Sequence, residues 1–220
     1  MKKRPLTNNV LLERSKLFAR YAENMPSKPD ILELQLDYPD CGWLYMHFIV
    51  NGEEKLKISA SEVYEPFEDI RDWLEQIVKH IFDFTPKGVR IYDEHDDYLL
   101  YYEPFFFHSD ELLTKHPPKL DGLFYIYDSY EKKIVSAAVC EAKQLVRSLY
   151  ESILMFAKES SKRDEFVDDW IQGAYNSDYA KYDDDDDPRM KEIFINKVTS
   201  HIIENFLGDK NSDIRFIPIK

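Results

Sequence analysis

The sequence predicts an α+β fold in which helices pack on one side of a mostly antiparallel sheet of about six or seven strands, with a helical C-terminal third. Between residues 31 and 140 most segments carry apolar side chains at alternate positions, the period of a strand, and a single helix interrupts them. Between residues 141 and 208 apolar side chains recur at every third or fourth position, the period of a helix. No helix separates each strand from the next, so a parallel nucleotide-binding sheet is not expected. The 220 residues fit one domain.

The first part of the chain is predicted to form a helix followed by a three-stranded meander. Apolar residues recur at helical spacing through residues 9–25, and Pro26 then ends the helix. Further along, Asn51 and Gly52 favour a tight hairpin, because both residues accept the positive φ that such a turn requires. The three predicted strands are residues 31–36, 43–50 and 55–61.

The clearest helix begins at Pro66 and extends to Ile81. Proline suits the first position of a helix, and Glu68 and Asp69 place negative charge in the first turn, where the helix dipole favours it. Its apolar residues step by three or four, so one face is expected to be buried. Four more strands are predicted after it, at residues 88–92, 98–107, 123–127 and 134–140.

The C-terminal third is predicted to contain three helices and a short final strand. Apolar stripes predict helices at residues 142–157 and 166–174. Asp187 is expected to cap a third helix, which Gly208 ends. The final strand is expected at residues 214–219.

Composition excludes several functional classes. The formal net charge of −13 disfavours nucleic acids and anionic membrane surfaces as partners, and it favours a basic protein. Only six glycines are present and no glycine-rich phosphate-binding motif occurs, so no cofactor is expected. No apolar segment is long enough to span a membrane. Cys41 and Cys140 are too few for a disulfide scaffold and no signal peptide is found, so a cytoplasmic protein with free thiols is expected.

The polar connection at residues 93–97 contains the residue types of a metal site. Carboxylates and imidazole bind divalent metals, which makes Asp93, His95 and Asp97 candidate ligands. However, successive residues of a strand alternate between faces, so these side chains do not all converge, and the segment lacks the glycine of a calcium loop. A solvated hairpin tip is therefore the simpler interpretation, and no metal is predicted. Other catalytic motifs, including HExxH and GxSxG, are missing.

The most unusual segment is the aromatic strand at residues 98–107. Alternation places Tyr98 and Tyr102 on one face and Tyr101 on the other, and both faces are apolar or aromatic. Such a strand is typical of a central strand covered on both sides. The alternative is that one face forms an aromatic binding patch, because tyrosine is enriched at interface hot spots. The candidate binding residues are Tyr98, Tyr101 and Tyr102, together with Trp43.

Five consecutive aspartates precede the last predicted helix. Their mutual repulsion favours an extended, hydrated chain, and their charge suits the N-terminus of the helix that follows. They also offer carboxylates to a basic partner. Asp183, Asp184 and Asp185 are therefore candidate binding residues.

Residues 58–75, ISASEVYEPFEDIRDWLE, carry a family resemblance. The segment resembles a strand–turn–helix element of small uncharacterised bacterial proteins, some of which resemble immunity members of polymorphic toxin systems. The resemblance implies a non-catalytic inhibitor with a protein partner, and it assigns no functional residue.

The leading functional hypothesis is a non-catalytic, acidic protein-binding module, of which an immunity-type inhibitor of a toxin is one form. The alternatives are a metal-dependent hydrolase that uses the connection at residues 93–97, and a small-molecule sensor with an aromatic pocket near Tyr101 or Trp43. The oligomeric state is left open.

Overall fold

A computed structural model describes residues 7–24, 26–81, 83, 85–93, 97–104, 121–163, 165–166, 170 and 188–208. The helices are α1 (Asn8–Glu23), α2 (Phe67–Lys79), α3 (Ala142–Ser160), α4 (Pro188–Val198) and α5 (His201–Gly208). The strands are β1 (Leu32–Leu36), β2 (Trp43–Val50), β3 (Glu53–Ser61), β4 (Lys87–Tyr92), β5 (Asp97–Pro104), β6 (Asp121–Asp128) and β7 (Lys133–Glu141). The α+β class is confirmed. Asp187, most of the helix expected at 166–174 and the strand expected at 214–219 lie outside the described residues.

The strands form two antiparallel sheets. One has the order β1-β2-β3 and the other the order β4-β5-β6-β7. The predicted meander is confirmed, and its second turn has the expected geometry, since Asn51 has a φ of 53° and Gly52 a φ of 80°. In the described part of the chain, residues 51–52 join β2 to β3 and residues 129–132 join β6 to β7, whereas α2 lies between β3 and β4 and therefore separates the two sheets along the chain.

The main core lies between the two sheets and the helices α2 and α3. Alternate residues of β2, β5 and β6 point into it, and the rings of Phe48 and Phe124, one from each sheet, stack with centroids 6.2 Å apart. The predicted apolar stripe of α2 is buried there, and it consists of Phe67, Ile70, Trp73, Leu74 and Ile77. Burial of these side chains at roughly 1.5–3 kcal/mol each is the main stabilising contribution to this half of the fold.

The outer edge of β1 is covered by side chains of α3. Gln144 donates from Nε2 to the carbonyl of Leu32 at 2.7 Å, and Ser152 donates from Oγ to the carbonyl of Leu34 at 2.6 Å. An uncovered strand edge is open to pairing with another chain. The α3 side chains satisfy these carbonyl groups of β1.

Helix α1 lies on the other face of the four-stranded sheet. Its Leu17 forms a second, smaller core with Leu123, Tyr125 and Val139, apart from the main core. The sequence predicted helices on one side of the sheet. The β4–β7 sheet is covered on both faces instead, because the outward residues of β6 and β7 are also apolar.

The helix expected to run from Asp187 to Gly208 is divided at Ser200. Ser200 begins α5 as its cap, since its Oγ accepts a hydrogen bond from the amide of Ile203 at 3.2 Å. The amide of Ser200 donates to the hydroxyl of Tyr150 at 2.9 Å. The prediction of one continuous helix is wrong, because a contact from α3 stabilises the break.

Candidate functional site

The aromatic strand is buried on its inner face. Tyr102 is 0% exposed and packs in the main core, and a binding role for it stays a prediction. Tyr98 packs partly buried against the same core. On the outer face Tyr101 is half-buried and stacks on Tyr125, with ring centroids 5.1 Å apart. The burial of Tyr102 in the main core agrees with a strand covered on that face. On the opposite face Tyr101 packs against the smaller core that contains Leu17 of α1.

Trp43 lies apart from these tyrosines, on the outer face of the three-stranded sheet. It is half-buried, and Tyr45 beside it on the same face is 42% exposed. A binding role for Trp43 stays a prediction. The pair belongs to a different sheet from Tyr98 and Tyr101, so the predicted aromatic residues are divided between two surfaces.

The candidate metal ligands form no site within the described part of the chain. Asp97 is paired with Arg90, with 3.1 Å between its Oδ2 and Nη1 of the arginine, and His95 lies outside the described residues. No group of three or more histidine, cysteine, aspartate or glutamate side chains is arranged to hold a metal among the residues described. Asp183, Asp184 and Asp185 also lie outside that part of the chain.

His47 joins three strands on the outer face of the β1–β3 sheet. Its Nδ1 lies 2.7 Å from the carboxylate of Glu54, and its Nε2 lies 3.1 Å from that of Asp37. Partial burial lowers the pKa of His47, but the hydrogen bonds to Glu54 and Asp37 outweigh that effect and raise the pKa above its usual value. Each ring nitrogen faces a different carboxylate, so a protonated His47 forms an ion pair with Glu54 of β3 and with Asp37, the residue that follows β1. The positions of Asp37, His47 and Glu54 in the sequence do not by themselves predict this arrangement.

The first turns of α2 form an acidic face, which we define as Glu65, Glu68, Asp69 and Asp72. These residues are three or four positions apart, so they share one side of the helix and its entry. Arg71 pairs with Glu68 at 3.4 Å and with Asp72 at 2.6 Å. Asp69 is exposed and has no cation within ion-pair distance among the described residues. Arg71 and the nearby Lys197 therefore offset the four carboxylates of this face only in part.

The carboxyl groups on this face have raised pKa values. Burial raises the pKa of Glu65 to about 7, against the opposing effects of the Phe67 amide that donates to it and of the charge of Lys197. The charges of Glu68 and Asp69 raise it further. Burial and the neighbouring Asp72 and Glu68 also raise the pKa of Asp69. A helix N-terminus ordinarily favours carboxylates. Desolvation and repulsion between the carboxylates therefore outweigh the helix dipole at this face.

A groove of about 250 Å³ lies between α1 and β7. Glu13, Lys16, Leu17 and Arg20 line one side, and residues 134–137 line the other. The four α1 residues share one helical face. Successive strand residues point to opposite faces of a sheet, so a groove in contact with four in a row follows the edge of β7. We call it the helix–edge groove.

Helix α1 is held on the sheet by a buried ion pair. Arg14 donates from Nε to Oε2 of Glu103 at 2.7 Å, and its Nη2 bonds the other carboxylate oxygen. Glu103 is only 5% exposed, and Arg14 also lies over the ring of Phe18. Burial and the nearby Glu103 raise the pKa of Tyr125, so its hydroxyl stays neutral beside the pair. This contact positions one wall of the helix–edge groove.

Neither Cys41 nor Cys140 is part of a disulfide, as predicted. Cys140 is buried, and burial together with the nearby Asp30 and Asp121 raises the pKa of its thiol well above the usual range. A nucleophilic cysteine needs the thiolate, so Cys140 acts as a small core residue.

No protein-family model, curated protein or solved structure matches the chain. Within the described residues, no helix combines the length and the apolar character that crossing a membrane requires. The acidic face of α2 and the helix–edge groove are the two surface features of the described residues that suit a ligand.

Proposed function

We propose that this protein is a non-catalytic protein-binding module that binds a basic protein through the acidic face of α2. The observation that carries the proposal is the set of carboxylates on one side of α2, where Arg71 pairs with Glu68 and Asp72 while Asp69 is exposed. Burial is the largest cause of the raised pKa of Glu65 and Asp69, and the charges of the neighbouring carboxylates add to it. A cationic side chain of a partner would offset these charges.

The net charge of the chain supports the same partner class. At −13 the protein attracts a basic partner over a long range, which raises the association rate at low ionic strength and makes it decrease with salt. The immunity-type inhibitor suggested by residues 58–75 is one form of this function, and that segment includes α2 up to residue 75.

Binding on this face is coupled to protons. A partner cation beside the exposed Asp69 favours its carboxylate and also acts on the nearby Glu65, whose pKa is about 7 in the free protein, so binding lowers both pKa values and releases protons. The affinity should therefore increase from about pH 6 to about pH 8.

The test is a pulldown from native lysate of the source organism at low salt, with two charge-matched variants. Asp69→Lys/Asp72→Lys reverses the acidic face, while Glu151→Lys/Glu159→Lys changes the net charge equally on α3, where the side chains are 64% and 65% exposed. We expect a stoichiometric basic partner that the first variant loses and the second keeps.

Two results would contradict the proposal. One is the lack of any stoichiometric partner of the wild-type protein at low salt. The other is equal loss of the partner with both double variants, since net charge alone would then explain binding. Once the partner is purified, calorimetry in buffers of different ionisation enthalpy measures the proton release that the raised pKa of Glu65 requires.

A further inference from the structure

The outer edge of β7 already accepts an extended segment at one end. The amide of Asp30 donates to the carbonyl of Val139 at 2.6 Å, and the amide of Val139 donates to the Asp30 carboxylate at 2.9 Å. The backbone groups of Val139 therefore point away from β6. Peptide groups alternate in direction along an antiparallel strand, so those of Ala137, two residues earlier, point the same way. The Tyr21 hydroxyl donates to the carbonyl of Ala137 at 3.4 Å, which confirms that this carbonyl points away from β6.

The amide of Ala137 consequently faces the helix–edge groove. It has no hydrogen-bond partner among the residues that the structure describes. An edge amide with a helix wall beside it is the arrangement in which other proteins take up a peptide as an added strand. The peptide backbone bonds the strand edge, and its side chains contact the helix.

The α1 wall indicates the chemistry of such a peptide. Lys16 is paired with Glu13 at 2.7 Å, so these two charges offset each other. Arg20 is exposed and lies over the ring of Tyr21 at 5.2 Å, and no carboxylate in the described part of the chain lies within ion-pair distance of it. Leu12, one turn before Lys16 on the same ridge, lies beyond the groove lining and is 57% exposed. The groove therefore offers a ligand the cation of Arg20, and the adjoining turn of α1 offers the apolar side chain of Leu12.

We infer that the helix–edge groove binds an extended peptide segment of another protein, which adds as a strand to β7 through the amide of Ala137 and places an acidic side chain at Arg20. The surface is separate from the acidic face of α2, and it takes a ligand of the opposite charge. The inference therefore does not depend on the proposed function.

The test begins with a displayed library of random dodecapeptides, panned on the full chain with the Ala137→Pro variant as counter-selection. Proline removes the edge amide, whereas the matched Ala137→Gly variant keeps it. We expect enriched peptides to combine acidic and apolar residues at alternate positions. By fluorescence anisotropy they should bind Ala137→Pro about fivefold more weakly than the wild type, since one hydrogen bond of average strength is lost. They should bind Ala137→Gly as tightly as the wild type.

Two further measurements do not depend on how well Ala137→Pro folds. N-methylation of each peptide amide in turn should weaken binding at alternate positions only, because every second amide of an added strand faces β7. Arg20→Glu should weaken binding about tenfold, the effect of one charged contact, while Arg147→Glu on α3, 50% exposed, should not change it.

Three results would overturn the inference. The first is that panning enriches no peptide on the wild-type chain. The second is that enriched peptides bind the Ala137→Pro and Arg20→Glu variants as tightly as the wild type, or show no alternation in the N-methylation series. The third is that light scattering finds a wild-type dimer that Ala137→Pro converts to a monomer, since the occupant of the edge would then be a second copy of this chain.

Discussion

Replacement of Arg14 by methionine should destabilise the protein strongly, because it leaves the carboxylate of Glu103 buried without its cation. The Glu103 side chain is 7% exposed, and Arg14 forms two hydrogen bonds with it. Methionine keeps most of the apolar stem of arginine, so the change removes charge and hydrogen bonds more than it removes packing.

The size of the effect follows from the exposure of the two side chains. Loss of one partner from a buried ion pair costs about 3–5 kcal/mol. The Arg14 side chain is 28% exposed, so water enters the site more easily than in a fully buried pair. We therefore expect a loss of about 3 kcal/mol in the free energy of unfolding, the lower end of that range. For a chain of this size the corresponding decrease in Tm is about 6–12 °C.

Urea denaturation at neutral pH measures the change, with Arg147→Met as the control. Arg147 is 50% exposed and lies 3.8 Å from Glu151, so its replacement should cost no more than about 0.5 kcal/mol. The double variant Arg14→Met/Glu103→Gln removes the buried charge as well, and it should recover most of the loss. A change below about 0.5 kcal/mol for Arg14→Met would refute the reasoning, as the pair would then behave like an exposed one.

Three other predictions concern titration and packing. His47 has a raised pKa in the folded protein, so its stabilising contribution is complete below the pKa of the unfolded state and is lost as pH rises through the folded pKa. The His47→Gln substitution should therefore lower the free energy of unfolding, measured by urea denaturation, more at about pH 5.5 than at about pH 9. Glu65 has a pKa raised from 4.5 to about 7, so wild-type stability decreases as pH rises through that window. The Glu65→Gln substitution should remove this decrease. If the Tm of the wild type and of the variant changed with pH in parallel, the prediction would be contradicted. At Gly122 an added Cβ would lie 2.3 Å from the ring of Tyr102, so Gly122→Ala should lower the free energy of unfolding by about 1–3 kcal/mol. At Gly208 an added Cβ would meet no atom within 4 Å, so Gly208→Ala should change the free energy of unfolding by no more than about 1 kcal/mol in the same urea titration.

Local patterns were enough to predict most elements of the fold. Asn51 and Gly52 predicted the hairpin because a two-residue turn depends on the φ angles of those two residues. The stripe of α2 was predicted because helical periodicity depends on positions three and four apart. Such signals are contained in neighbouring residues, so no knowledge of the rest of the chain is needed to interpret them.

The candidate sites were less predictable. Tyr98, Tyr101 and Tyr102 were rightly placed on alternate faces of one strand, but burial of Tyr102 depends on what packs against it. His47 has a raised pKa because carboxylates from other parts of the sheet surround it. The helix–edge groove depends on contact between α1 and β7, which are more than a hundred residues apart.

The sequence by itself determined the α+β class, the three-stranded meander and the apolar face of α2. Only the tertiary structure decided that the strands form two sheets, that α1 covers the outer face of one of them, and that α5 begins at Ser200. The physical reason is the same in each case. An amphipathic pattern predicts that a face is buried but not which element packs against it. The partners in this fold are distant in the chain: the amide of Ser200 donates to Tyr150, and Arg14 donates to Glu103.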